Sequence, residues 1–205
     1  SPSAKVRASI VPMNAMRVFD HLRIRREIES IGSPLTLFGR TDSTGKKIAS
    51  VNFESLRSYQ DRPTLGVNYL ELERKLQELV ATTSDIQPQC FVESIESPLS
   101  GASPAMAEVK WQTNYASSRT SKKGLYDAVI ISEGPFSPTR ERLWPQKFDL
   151  NGMASVLEAV IPRPIKVMKG YASDQWGGDR RVGFYPVGHP NQDLLYVYAH
   201  VRPAE

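Results

Sequence analysis

Between residues 12 and 31 apolar side chains return at helical spacing: Ala15, Val18, Phe19 and Leu22, then Ile24, Ile28 and Ile31. The spacing predicts a helix, or two with a bend, over 12–31, with Pro12 tolerated in the first turn, Ser9 near enough to cap it and Gly32 as its stop. The period then shortens to two. Leu35 and Leu37, and Ile48, Val51 and Phe53, flank the turn chemistry of Asp42-Ser43-Thr44-Gly45, a β-hairpin over 34–53. Leu72, Leu76, Leu79 and Val80 form one apolar stripe opposite Glu and Lys, a helix over 69–80. Residues 89–95 and 106–113 read as strands, 114–124 as a polar loop with a small basic cluster, and 125–132 as an apolar strand. Further strands are expected at 153–162, 180–186 and 193–201, the last alternating Leu195, Val197 and Ala199 with Tyr196, Tyr198 and His200. There is no internal repeat. The order of elements predicts a mixed α/β fold with much antiparallel sheet.

Composition narrows this little. The length of 205 residues suits one large domain or two small ones, and 26 Lys+Arg against 22 Asp+Glu gives a net charge of +4. Such a balance suits solubility, anionic cofactors, RNA or acidic lipid without choosing among them, and an incidental surface bias is the favoured reading. Cys90 is the sole cysteine, which excludes an intrachain disulfide and a cysteine-based metal site and points to a reducing compartment. No apolar run approaches the roughly 20 residues of a membrane span. The opening Ser-Pro-Ser-Ala-Lys-Val-Arg fits a chain processed after synthesis, as by removal of an organelle presequence, or one cut from a longer one. The expected location is intracellular, cytoplasmic or mitochondrial matrix.

Chemistry-bearing motifs are sparse. His21, His189 and His200 lie far apart in dissimilar contexts, so no metal is expected, and His200 reads as a sheet-surface residue. No serine-hydrolase elbow, P-loop or G-x-G-x-x-G fingerprint occurs. Arg23, Arg25 and Arg26 fit a solvated helix face better than an anion site. Gly177-Gly178 and Arg180-Arg181, set among Trp176, Phe184 and Tyr185, fit a turn feeding a strand better than a phosphate cradle or a nucleic-acid platform. The informative stretch is "YDAVIISEGPFSPTRERL", residues 126–143: an apolar run meets Glu133-Gly134, then Ser137, Arg140 and Arg142. A buried strand delivers a polar group to a ligand in this way.

Four stretches in this order, with two late strands beside them, resemble the FAD-dependent aromatic hydroxylases, the p-hydroxybenzoate-hydroxylase-like flavoprotein monooxygenases. "IVPMNAMRVFDHLRIRREIESIG" is similar to the family's P-N-A-x-R-x-L-like helix, "DSTGKKIASVNF" to the hairpin entering the substrate sheet, and "VNYLELERKLQELV" to its H-R-x-x-L-like helix. "YDAVIISEGPFSPTR" resembles the second flavin fingerprint, and "QWGGDRRVGFYPV" with "LLYVYAHV" resembles late strands of the substrate sheet. The resemblance implies a Rossmann-like FAD-binding portion, incomplete here, at 1–33 and 63–150, and an antiparallel or mixed substrate-domain sheet at 34–62 and 151–205. It implies FAD as cofactor, with Glu133 in place of the family's aspartate, Gly134 as the glycine, and Ser137 and Arg140 as the motif's tail. Arg17 is a further candidate from the first helix. For Arg140 a helix-surface role beside Glu141 is equally open.

Departures from the family pattern point toward loss of flavin. Ile131-Ser132 stand where a small pair is usual, Glu133 is one methylene longer than aspartate, and Tyr69 replaces a cofactor-contacting arginine. The glycine fingerprint would precede residue 1 and the G-D-A-like segment would follow residue 205. The leading expectation is a degenerate flavoprotein-monooxygenase-like protein, not catalytic by itself, acting as a structural or assembly subunit with a protein partner covering the open edge of 125–132. A basic subunit of an organellar ribonucleoprotein or membrane complex is its specific form. The alternative is part of an active hydroxylase using FAD, NAD(P)H and O₂ on an aromatic or small organic substrate.

Overall fold

The computed structural model describes residues 7–87, 89–96, 106–115, 118–134, 137–145, 155–178 and 180–201. In chain order the elements are β1 (Ala8–Val11), α1 (Met13–His21), α2 (Arg25–Glu29), β2 (Gly32–Leu35), β3 (Leu37–Asp42), β4 (Lys47–Asn52), α3 (Phe53–Gln60), β5 (Thr64–Asn68) and α4 (Tyr69–Ala81). There follow β6 (Cys90–Glu96), β7 (Ala107–Tyr115), β8 (Ser118–Tyr126) and α5 (Pro138–Leu143), then β9 (Ser155–Pro162), β10 (Tyr171–Gly177), β11 (Arg180–Val187) and β12 (Leu194–Val201). Residues 1–83 with 152–205 form one compact unit, and 84–151 a second.

The first unit holds two sheets. One has the order β1-β5-β2; the other, of six strands, runs β4-β3-β10-β11-β12-β9, with β3 and β10 parallel and every other neighbour antiparallel. The expected mixed α/β architecture is thus present. The bend in the first helical stretch sits at Arg23, whose φ of 60° ends α1: Arg23 N–H donates to Asp20 O and Ile24 N–H to Phe19 O. That pair of bonds closes a helix C-terminus in the manner usually reserved for glycine.

Two expected helix signals act differently. Ser9 does not cap α1, because it is drawn into β1 opposite Val67; Pro12 occupies the cap position without a side-chain bond. Gly32 does not stop a helix. It opens β2, where a Cβ would come 3.0 Å from Leu65 and Val67 side-chain atoms.

Val11, Met16, Ile28, Leu65 and Val67 make one core, closed by Leu72 and Leu76 of α4. Full burial of side chains such as Met16 and Ile28 contributes about 1.5–3 kcal/mol each. A second core joins Leu35, Ala172, Tyr185, Val187 and Tyr196. Here β5 approaches β11 so closely that a Cβ on Gly66 would lie 1.8 Å from the Pro186 carbonyl oxygen.

In the second unit β6, β7 and β8 form an antiparallel sheet. Two expectations fail in it. The segment expected as a polar loop, 114–124, supplies most of β8, which pairs along β7 from Ala107↔Tyr126 to Tyr115↔Ser118. An exposed strand rich in Lys and Ser carries no apolar alternation, so the sequence does not announce it. Conversely, the expected strand 125–132 ends in the ladder at Tyr126, and 128–134 has no regular structure; Ile130 is 91% exposed. Strand geometry requires a hydrogen-bonded neighbour, and none lies along this run among the described residues. Residues 153–154 of the expected strand 153–162 lie outside the described residues, as does Asp179.

Candidate functional site

The Glu133 loop is built by the start of α5. Ser137 caps that helix, its Oγ accepting from Arg140 N–H at 3.0 Å, and Pro138 occupies the first helical turn where its missing N–H costs nothing. The same Ser137 hydroxyl donates to Glu133 Oε2 at 2.6 Å, while Thr139 donates to Glu133 through its N–H at 3.1 Å and its hydroxyl at 2.7 Å. Ser137 and Thr139 are buried. These bonds, from Ser137 first and Thr139 next, hold the Glu133 carboxyl below the usual carboxylate range against the opposing effect of desolvation.

Gly134 has φ of +84°, and a Cβ there would meet nothing within 4 Å. Its glycine is therefore required by backbone conformation, not by close approach. Arg140 is half-buried in α5. Arg142, which the sequence offers without a role, ties α5 to β6: its Nη2 donates to Val92 O at 2.7 Å and its Nη1 to Glu93 O. Glu133, Gly134 and Arg140 thus share one loop and helix. Arg17 lies exposed on α1 in the other unit, and Tyr69 is the first residue of α4, beside the capping Asn68.

A second polar cluster lies across β3, β10 and β11; the sequence singles out its Trp176 and Arg181 but not its Asp174 or Arg40. Asp174 is 1% exposed and accepts from Arg40 Nε at 2.9 Å, Arg40 Nη2 at 3.1 Å, Trp176 Nε1 at 3.0 Å and Arg181 Nε at 3.0 Å. Burial alone would raise its pKa, but Arg40, Trp176 and Arg181 outweigh it and leave the carboxyl below its ordinary value. The Arg40 guanidinium stacks 4.5 Å from the Trp176 ring centroid, and Arg181 lies 5.2 Å from that of Tyr198. Strand register brings Arg40 in: Asp174↔Arg40 are ladder partners 134 residues apart, whereas Trp176↔Arg181 face each other across the β10–β11 hairpin.

Among the described residues no group of His, Cys, Asp and Glu could hold a metal ion, and no helix is long and apolar enough to cross a membrane.

No protein-family model matches the sequence, and no curated protein matches it. Solved structures do. The chain is similar to HpxO of Klebsiella pneumoniae, solved with FAD and uric acid, at 18% identity and a TM-score of 0.73 over 100% of this chain and 49% of that one. The p-nitrophenol 4-monooxygenase PnpA of Pseudomonas putida gives 15% identity and 0.70, over 100% and 50%. PqsL of Pseudomonas aeruginosa, solved with 2-aminobenzoylacetate, gives 14% and 0.74, over 98% and 52%. The chain spans about half the length of the structures it matches. It has the fold of that half of the FAD-dependent aromatic monooxygenases.

Proposed function

We propose that this chain is a flavoprotein-monooxygenase-like protein that does not hold FAD by itself and acts as a structural or assembly subunit. The observation that carries this reading is the Glu133 loop. Its carboxylate is bonded to Ser137 and Thr139, which are themselves buried, so it serves as an internal brace for α5. A flavin pyrophosphate needs free backbone N–H groups at a helix N-terminus. In α5 the N–H groups of Thr139 and Arg140 are taken by Glu133 and Ser137, and the helix has only 6 residues. As arranged, these residues do not fit FAD. The unpaired run 128–132, with Ile130 outermost, is where a protein partner would add cover.

A second reading, part of an active hydroxylase using FAD and NAD(P)H on an aromatic or small organic substrate, is favoured by the fold it shares with HpxO and PnpA across the whole chain. The visible spectrum separates the two. The purified chain is recorded as isolated, then again after adding FAD and desalting. No flavin band in either spectrum, with the chain recovered from its native source in a stoichiometric complex, supports the subunit. Flavin bands that stay with the protein refute it in favour of the hydroxylase.

A further inference from the structure

Within the first unit a cavity of about 260 Å³ opens between β2, the β9–β10 connection and the β11–β12 turn. Its walls are strand ends and turns. Pro34 and Pro186 supply two of them, and Gly170 and Gly188, at φ of +78° and +85°, fix the turns that frame it. Thr36 N–H donates to Gly170 O at 2.8 Å, and Ser33 Oγ donates to Gly188 O at 3.0 Å. Arg163 clamps Asp193 with two bonds, Nε to Oδ1 at 2.6 Å and Nη2 to Oδ2 at 2.7 Å. Neither the Glu133 loop nor the Arg40–Asp174–Arg181 cluster contributes to it.

The polar groups that remain uncommitted at this cavity are mostly donors. Asp193 is neutralised by Arg163, and the Gln192 carbonyl oxygen accepts from His189 N–H at 3.2 Å, which leaves the Gln192 amide N–H₂ to offer. Exposed Lys169 lines the cavity and makes no ion pair among the described residues, although it stands near enough to Asp193 to help Arg163 hold that carboxyl below its ordinary value, and Thr36 adds to the wall. Arg163, Asp193 and Lys169 together carry one net positive charge. The remaining surface is apolar, from Pro34, Pro186 and Leu194. A ligand that suits this lining has a compact apolar body and one anionic, hydrogen-bond-accepting end.

We propose that this cavity binds a small monocarboxylate, its carboxylate facing Lys169, Thr36 and the Gln192 amide and its apolar body between Pro34, Pro186 and Leu194. The volume lies slightly below the ~300–1,000 Å³ of ordinary small-molecule pockets, which limits the occupant to a single ring or a short chain. The site is independent of whether the chain holds FAD.

The test uses cyclohexanecarboxylate as probe and neutral cyclohexylmethanol as comparator, followed by amide chemical shifts of the labelled chain. Saturable shifts confined to Thr36, Gly170, Gln192 and Leu194 are expected for the carboxylate, with the alcohol at least about tenfold weaker. Lys169→Gln is expected to weaken the acid about tenfold, the scale of one exposed charge contact. Gln192→Glu, on an exposed turn, is expected to abolish binding by placing a like charge at the carboxylate. Shifts scattered over the surface, equal binding of acid and alcohol, or indifference to both substitutions would each overturn the proposal. So would the absence of any shift at millimolar probe.

Discussion

Asp174→Asn changes one atom type at the most buried ionic group described. The wild-type carboxylate has no exposed side-chain surface and joins two guanidiniums that are 33% and 38% exposed. Asparagine keeps the shape but removes the charge, and it turns one acceptor into an N–H₂ group facing arginine donors. Breaking a buried pair costs about 3–5 kcal/mol. The arginines can swing partly into water, so the lower end applies, about 3 kcal/mol. At roughly 2–4 °C per kcal/mol for a chain of this size, the melting temperature falls by about 6–12 °C.

The pH dependence has a definite sign. A carboxyl whose folded pKa is depressed contributes stability above its unfolded value, near 3.9, and loses it as pH falls through the lower folded value. The wild-type advantage over Asp174→Asn is therefore full at neutral pH and shrinks below about pH 4. Urea unfolding followed by circular dichroism at several pH values measures it. A gap under about 1 kcal/mol at pH 7, or one that does not narrow in acid, would show that the Asp174 charge does not hold these strands together.

Three further outcomes follow from the packing. Gly66→Ala forces a Cβ to within 1.8 Å of the Pro186 carbonyl, where only backbone can yield, so a loss of at least about 3 kcal/mol or failure to fold is expected in denaturant titration. Ser137→Ala removes both the α5 cap and a bond to Glu133; hydrogen exchange of the Arg140 amide is expected to speed by roughly fivefold, for about 1 kcal/mol of lost cap. Arg23→Gly relieves a left-handed φ of 60° on a side-chain-bearing residue, and calorimetry is expected to show a gain of about 0.5–1 kcal/mol.

The helical stripes of α1, α2 and α4 and the β3–β4 hairpin were legible because periodicity and turn chemistry are local. The strand β5 was not. Thr-Leu-Gly-Val-Asn has no alternation, since both faces of Leu65 to Val67 are covered, and its glycine answers to Pro186, over a hundred residues away. The β8 strand was hidden by its Lys and Ser content, which suits an exposed strand. The run Ala128–Ile131 misled in the opposite sense: its composition is that of a strand, yet strands are made by neighbours. At the candidate site, the acid, glycine and serine were legible in order, but the bonding of Glu133 to Thr139, and of Arg142 to β6, depends on how the chain turns after Gly134. In the Asp174 cluster, Arg40 is brought in by register alone.

The most direct measurement is an equilibrium titration of the chain with FAD, followed by flavin fluorescence, which also detects binding too weak to survive desalting. No saturable change is expected, corresponding to a Kd weaker than about 1 mM. A one-to-one endpoint with a Kd in the low micromolar range would contradict it, and would mean that the Glu133 loop opens to receive the cofactor.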